Sequence, residues 1–538
     1  MTLLAQLAPI ESPSIDWFAI APPLALFTAA LFIVLVRSIY RHNPLIRPLA
    51  LLMAITGVIC AGAFTFVQWL LIDADGPFSS TGPYEASEGM GAVDGFSVFV
   101  MTVVLIATLL AILLASGYLG RERLEAPEFY VLMLCSATGM MLMASANDLI
   151  IVFLALEILS IALYVLAAFD RRRATSQEAG LKYFLLGSFS SAVFLYGVAL
   201  VYGATGSTNL TKISQYLATT TILDSGVLVL GIMLLLVGLG FKVGAAPFHM
   251  WTPDVYEGAP TPVTAFMAGA TKAAAFGAIL RVFFGAFDLY RTDWRPAVWA
   301  LAVLSLLVGS IAALVQTDVK RMLAYSSISH AGYILIGVQA ANDAGASAAL
   351  FYLFVYALMV FGSFAVVTVV ARGGDENHTL ADFRGLSVRQ PMLAGLLTLF
   401  LLAQAGVPLT GGFVAKLSVF DAALDAGQYP LALLGMLTAA IAAFVYLRII
   451  LAMFAPEDGA DIVRGKTRVD FGTGVALTLA AAGVLFLGLV PGRVLDFAKE
   501  ATCRSDEIVA GVVAPDDNDC DVEPESGSPA PEASPDPG

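Results

Sequence analysis

The chain has 538 residues, of which 59% are hydrophobic and 13% charged, with a mean hydropathy of +0.84. A soluble protein of that length has too little polar surface to cover such a composition, so lipid is its solvent. The formal net charge of -14 belongs mostly to one end: residues 505–538 hold ten Asp and Glu and no Lys or Arg. The rest is close to -4, which gives a nucleic-acid partner no support.

Residues 1–18 read as an extracytoplasmic N-terminus; they lack the basic region of a signal peptide. Apolar runs of roughly 20 residues, the number that crosses ~30 Å of hydrocarbon, then recur at 19–37, 47–71, 96–117, 129–146, 149–169, 181–203, 226–251, 262–286, 297–316, 322–341, 346–371, 391–424, 430–454 and 470–491. These are spans 1 to 14, and they predict an all-α polytopic membrane protein with about 14 transmembrane helices and no strands. Cys60 and Cys135 fall inside spans, where a thiol acts as a small buried hydrophobe. Cys503 and Cys520 are placed to pair if their compartment is oxidising, and no Cys/His cluster suggests a metal, haem or iron–sulfur centre. The segment 499–538 is acidic, rich in Pro, Ser and Gly, and expected to be disordered.

Span 7 runs into GLGFKVGAAPFHMWTPDVYEGAPTP, and span 12 reads LLAQAGVPLTGGFVAKLSVF. Proline removes a helix hydrogen bond and clashes with the preceding turn, so both should break. Broken backbone at that depth is tolerated only within protein or beside a watery cavity. Two such spans lie five apart, which divides the chain into 19–128 (spans 1–3), 129–286 (spans 4–8), 297–454 (spans 9–13) and 470–491 (span 14). Moving on five helices is an odd step, so the two five-helix blocks are expected to be inverted repeats, a transporter architecture. Seventeen Lys and Arg fall in the loops of one side, six in those of the other, and five within spans. The rich side is expected to be cytoplasmic, with both termini outside.

Four of the charges within spans stand near the middle of the membrane. Glu157, Lys242, Lys272 and Lys416 each cost at least ~2.5–3.5 kcal/mol at such depth, and residues like these mark ion or proton paths. Glu157 shares a helix face with Ser160 and Tyr164. Its carboxylate and the Lys242 ammonium are expected to set each other's proton affinity. A protonated glutamate gluing two helices together is the plainer alternative. Lys272 stands mid-span in span 8, and Lys416 lies beyond the break of span 12, as the counterpart of Lys242. His249 and His330 suit either a proton relay or a structural hydrogen bond, with Ser326, Ser327 and Ser329 beside His330. Lys182 follows Arg171, Arg172 and Arg173 and reads more readily as part of the topology signal. Arg448, near the end of span 13, is expected to snorkel.

The run from Gly240, Phe241 and Lys242 through Pro247, Phe248, His249, Met250, Trp251, Thr252, Pro253, Asp254, Val255, Tyr256, Glu257, Gly258, Ala259 and Pro260 resembles a signature of the antiporter-like subunits of proton-pumping NADH:quinone oxidoreductase (respiratory complex I). So do Thr271-Lys272 and the stretch from Ala324 to Tyr333. The resemblance covers nearly all of residues 20–492. It is greatest to the subunit type with fourteen helices, a lysine rather than a glutamate in broken span 12, and no long lateral helix after span 14. The resemblance implies that Glu157 and Lys242 are the coupled pair, Lys272 the central relay and Lys416 the exit lysine, with Lys182 and His249 in accessory places. It implies a multi-pass bacterial inner-membrane subunit with no cofactor of its own. NADH, FMN, iron–sulfur clusters and quinone would belong to partner subunits, and antiporter-like membrane subunits and lipid would be its neighbours. Two rival readings remain at this stage: a subunit of a multisubunit cation/proton antiporter, and a non-pumping membrane scaffold.

Overall fold

A computed structural model describes residues 14–40, 43, 45–72, 83–124, 126–220, 225–371, 374–376, 378–456 and 468–509, with side chains to residue 502. Helix occupies every one of the fourteen predicted stretches. Among the described residues, twelve helices are long and apolar enough to cross a membrane. Of the other two stretches, span 10 (Val319–Ala340) carries too many polar residues for that criterion, and span 12 is cut in two. The chain is an all-α polytopic membrane protein.

Polar residues set the helix ends. Asp94 starts span 3 (Gly95–Glu122) with a capping box shared with Ser97, and Asp148 caps span 5 (Leu149–Ala167). Asp318, Asn342 and Asp470 cap spans 10, 11 and 14 in the same way. Each side-chain oxygen accepts from a first-turn N–H that the helix leaves unsatisfied. Both expected breaks are present. Span 7 runs Gly226–Val243, stops at left-handed Gly244, and resumes as Trp251–Gly258. Span 12 runs Pro391–Ala405, stops at left-handed Gly406, and resumes as Gly411–Asp425.

Burial sorts the helices into axis and rim. The most apolar window of span 8 (Thr261–Ala286) is 100% buried and that of span 11 (Asp343–Val370) 94%, against 28% in span 1 (Ala21–Ile39). Spans 8 and 11 form the axis, while spans 1, 2 and 13 offer Leu, Ile and Phe to lipid. Span 8 is not uniform: it widens into a π-helical turn at Met267–Thr271, immediately before Lys272. Such turns are frequent at functional sites.

The two five-helix blocks share a detail that hydropathy cannot reveal. The residue before span 5, Asp148, bridges to Asn209 beyond span 6, and the residue before span 10, Asp318, bridges to Thr379 beyond span 11. Backbone bonds flank both bridges: Leu149 to Thr208 and Leu210 to Asn147 in one, Val319 to His378 and Leu380 to Thr317 in the other. The displacement that carries Asp148 to Asp318 carries Glu157 to Ser327 and Ser160 to His330.

Four expectations need correction. A hairpin of Tyr84–Ala86 and Gly91–Val93 is present, its turn made by Ser87, Glu88 and Gly89 at positive φ. Asn147 holds it by donating to Glu85 and to the Gly89 carbonyl. A helix, Gly492–Val509, follows span 14, so the segment from 499 begins in ordered backbone. That helix lies against spans 3 and 11, with Phe497 packed on Trp69 and Phe99. Cys60 is exposed on the outer face of span 2, not buried. Arg448 does not snorkel: it donates to the carbonyls of Leu314 and Gln316 at the end of span 9 (Arg291–Leu314). A guanidinium within reach of orphan carbonyls satisfies them rather than turning away to the interface. The Cys503 side chain, Cys520 and the tail beyond 509 lie outside the described residues.

Candidate functional site

Lys242 occupies the last turn of the first half of span 7, where the helix end favours a cation. Its ammonium is buried and donates to Ser160 Oγ at 2.8 Å and Tyr183 OH at 3.0 Å. It also lies 5.1 Å from the centre of the Tyr183 ring and 5.9 Å from that of Tyr164, close enough for cation–π attraction. Glu157 sits one turn before Ser160, half-buried, with its Oε1 lacking a hydrogen-bond partner. Among the described residues no ion pair joins Glu157 to Lys242; Ser160 takes the lysine instead. A cavity of about 10 Å³ lies beside Lys242, lined in part by Ser160, Gly187, Ser190, Ser191 and Gly238. That is room for about one water, and Ser191 Oγ has no protein partner to compete for it.

The second cluster begins at Lys272, just after the π-helical turn. Its buried ammonium donates to the backbone carbonyl of Ser327 and, at 2.7 Å, to Ser327 Oγ, with the Tyr356 ring 5.4 Å away. One turn further along span 10, His330 is fully enclosed. Its Nδ1 is 2.8 Å from Tyr352 OH and its Nε2 3.1 Å from Tyr446 OH. Tyr446 OH is 2.5 Å from Ser326 Oγ, and Ser326 in turn reaches Gln404 Oε1 at 3.3 Å.

Gln404 leads to the last lysine. The break at Gly406 leaves the final carbonyls of the first half of span 12 without helical partners. Lys416, folded back from the second half, accepts that role by donating to Gln404 O and Ala405 O, both at 2.9 Å. Its ammonium lies 4.8 Å over the Tyr333 ring. A buried cation is thus held by the negative end of a half-helix, an arrangement that exists only because the span is broken.

The molecule therefore links His330 through Tyr446, Ser326 and Gln404 to the half-helix end that holds Lys416, places Lys272 on Ser327 one turn before His330, and sets Lys242 with Ser160 apart. Two candidates stand apart. Lys182 is partly exposed and pairs with Glu178 and Asp254, each at 2.7 Å, in a network completed by Arg321. His249 lies half-buried in the link across the span 7 break, and its Nδ1 has no partner. Sequence reasoning missed Tyr183, Tyr352, Tyr446 and Gln404. A hydroxyl or amide inside an otherwise apolar span was the available signal, since such groups seek a partner when buried.

Comparisons with known proteins give the family. The family profile described as NADH:quinone oxidoreductase/Mrp antiporter, TM, matches residues 146–442. The chain is 43% identical over 529 residues to NADH-quinone oxidoreductase subunit N of a Parafrankia species, covering 93% of this chain and 98% of that one. It is 45% identical over 409 residues to subunit N of Trichlorobacter lovleyi, covering 76% and 84%. A chain of respiratory complex I from Thermus thermophilus with bound aureothin superposes with a TM-score of 0.73 at 36% identity, covering 88% of this chain and 98% of that one. The relatives along nearly its whole length are subunits N, and the chain belongs to the NADH-quinone oxidoreductase subunit N family.

Proposed function

We propose that the chain translocates protons across the bacterial inner membrane, through Glu157, Lys242, Lys272, His330 and Lys416, driven by redox chemistry in other subunits. The carrying observation is that all three lysines are buried and end on hydroxyls, carbonyls and ring faces, and on no carboxylate among the described residues. A buried ammonium without a counter-ion is held weakly enough to be emptied and refilled. In this reading Lys242 exchanges its proton according to whether Glu157 turns toward it. Lys272 passes protons through Ser327 to the His330–Tyr446–Ser326 chain, and Lys416 releases them where span 12 breaks. Lys182 and His249 take accessory places beside the second half of span 7. The two blocks act as inverted repeats, with the Arg- and Lys-rich side in the cytoplasm and both termini outside.

The chain supplies no redox centre in this reading. NADH, FMN, iron–sulfur clusters and quinone belong to partner subunits, and other membrane subunits, antiporter-like ones among them, are its neighbours. The subunit N relatives favour this over the cation/proton antiporter. Glu157→Gln and Lys272→Ala test it in inverted membrane vesicles. Each should cut NADH-driven proton pumping by about tenfold or more while the complex still assembles. Assembled complexes that pump at the wild-type rate overturn the relay.

A further inference from the structure

Three basic side chains meet one buried carboxylate away from the chain just described. Asp375, in the link between spans 11 and 12, is wholly enclosed and receives Arg173 at 3.2 Å, Lys320 at 3.6 Å and His378 at 3.4 Å. It also accepts from Thr261 Oγ1 at 2.7 Å, Thr261 N at 3.2 Å and Tyr118 OH at 3.2 Å. Spans 3, 6, 8 and 10 are tied at one point. Lys320 and Asp375 are the only ion pair among the described residues with both side chains at zero exposure. Burial alone would raise the Asp375 carboxyl, but Lys320 and Arg173, with the Thr261 hydroxyl, outweigh it and hold it well below the usual range. Burial, with Lys320 beside it, lowers His378 to about 4, so its imidazole is neutral at neutral pH. Its Nε2–H donates to the Asp375 carbonyl at 2.7 Å, and its Nδ1 stays buried without a partner.

We propose that Lys320 is a proton-loading group that feeds Lys272 from the Arg- and Lys-rich side. This rests on the relay reading above. Lys320 donates to the Ala259 carbonyl at 2.9 Å, at the end of the short helix that closes the span 7 break. That helix carries Tyr256, whose hydroxyl lies near Ser327, the partner of Lys272. Ser327 also follows Lys320 on the same helix, two turns and about 10 Å on. The lysine stem narrows that gap, and the proposed transfer needs water to span the remainder. In the cycle, the neutral amine of Lys320 takes a proton from water arriving past His378 and becomes the ammonium that Asp375 stabilises. It then gives the proton through Tyr256 and Ser327 to the neutral amine of Lys272, and no electrons move. Besides Asp375 and His378, the charges facing Lys320 are Arg173 from span 6, Glu257 from the short helix and Asp318 from its own cap.

Lys320→Met, Lys320→Arg and Lys320→His, made in the full complex and assayed in inverted vesicles beside Glu157→Gln, test this. Lys320→Met should lower pumping per assembled complex by about tenfold or more. Lys320→Arg should be as poor, because guanidinium keeps its proton. Lys320→His should retain part of the rate, with the alkaline limb of the pH profile moved down, since imidazole releases its proton near 6.5 rather than about 10.4. Full pumping by Lys320→Arg, or an unmoved pH profile in Lys320→His, makes the group a fixed charge and overturns the proposal. Failure of all three to assemble makes the hub a fold staple and overturns it too. If Glu157→Gln pumps normally, the relay itself fails. If Glu157→Gln is inactive while Lys320→Met pumps normally, only the loading site fails.

Discussion

Glu157 and Ser327 each stand nine residues after a capping, bridged aspartate, and Ser160 and His330 each twelve, yet the surroundings differ in kind. The first block carries a carboxylate that lacks a protein partner on one oxygen and a lysine one turn away on a serine. The second has no acid in that place; its lysines end on Ser327 and on the carbonyls of a half-helix, with His330 and Tyr446 between them. One framework thus holds a site governed by charge and another built of hydroxyls, an imidazole and carbonyls. A carboxylate responds to a charge arriving from outside over some distance. A hydroxyl chain passes a proton only between touching atoms. The difference suits an input end and a transfer end.

The sharpest break of that comparison is at Lys242. Lys242→Ala should lower pumping by at least about tenfold, and Lys242→Arg should do no better, because a fixed charge cannot cycle. Proton uptake by vesicles, normalised to assembled complex, measures both. If Lys242→Arg pumps at the wild-type rate, the first site is a static cation and the contrast with the second disappears.

Lys416→Ala comes next. It removes both a relay group and the donor that satisfies two carbonyls at the break of span 12. Pumping should fall by about tenfold, with assembly preserved because water can replace the ammonium at those carbonyls. A variant that pumps normally would mean the transfer end does not run through span 12.

A smaller effect is expected at Tyr446. Tyr446→Phe deletes the hydroxyl between His330 and Ser326, a loss of about 0.5–1.5 kcal/mol, or roughly two- to tenfold in rate. Tyr183→Phe removes one of two hydroxyl partners of Lys242 and leaves Ser160 in place, so it should cost less. If Tyr183→Phe proves the more damaging of the two, the assignment of charge to one block and hydrogen bonding to the other is reversed.

The frame of this molecule was legible because a bilayer makes backbone patterns obligatory. Apolar length located the helices, Pro and Gly located both breaks, and charges in apolar runs located Glu157, Lys242, Lys272 and Lys416. The partners of those charges were not legible. Tyr446 reaches His330 from span 13, and Gln404 reaches Ser326 from span 12, contacts that depend on packing rather than on local pattern. Asp375 was invisible for the same reason: it lies in a loop, and only the fold shows that four spans meet there. The helix Gly492–Val509 was missed because acidic composition argued for disorder, while its 3.6-residue periodicity places Phe497, Ala498 and Ala501 against the body.

The smallest effect is expected far from both sites, in the acidic segment. Helix Gly492–Val509 docks through residues up to Thr502, so whatever this end contributes to assembly lies before residue 515. Beyond it the sequence is charged, Pro-rich and free of aromatics, and offers no apolar surface to offset the entropy of ordering. Deletion of 515–538 should therefore leave both assembly and NADH-driven pumping at the wild-type level, a result blue-native electrophoresis and vesicle assays can check together. A Cys503–Cys520 bridge is the competing possibility, worth on the order of 3 kcal/mol of local order. Such a bridge would make the deletion weaken the packing of Phe497 on Trp69 and Phe99. A truncated chain that fails to assemble, in step with a Cys520→Ser variant, would turn the segment into an interaction element. A truncated chain that assembles and pumps leaves the mechanism of this subunit to the residues before 515.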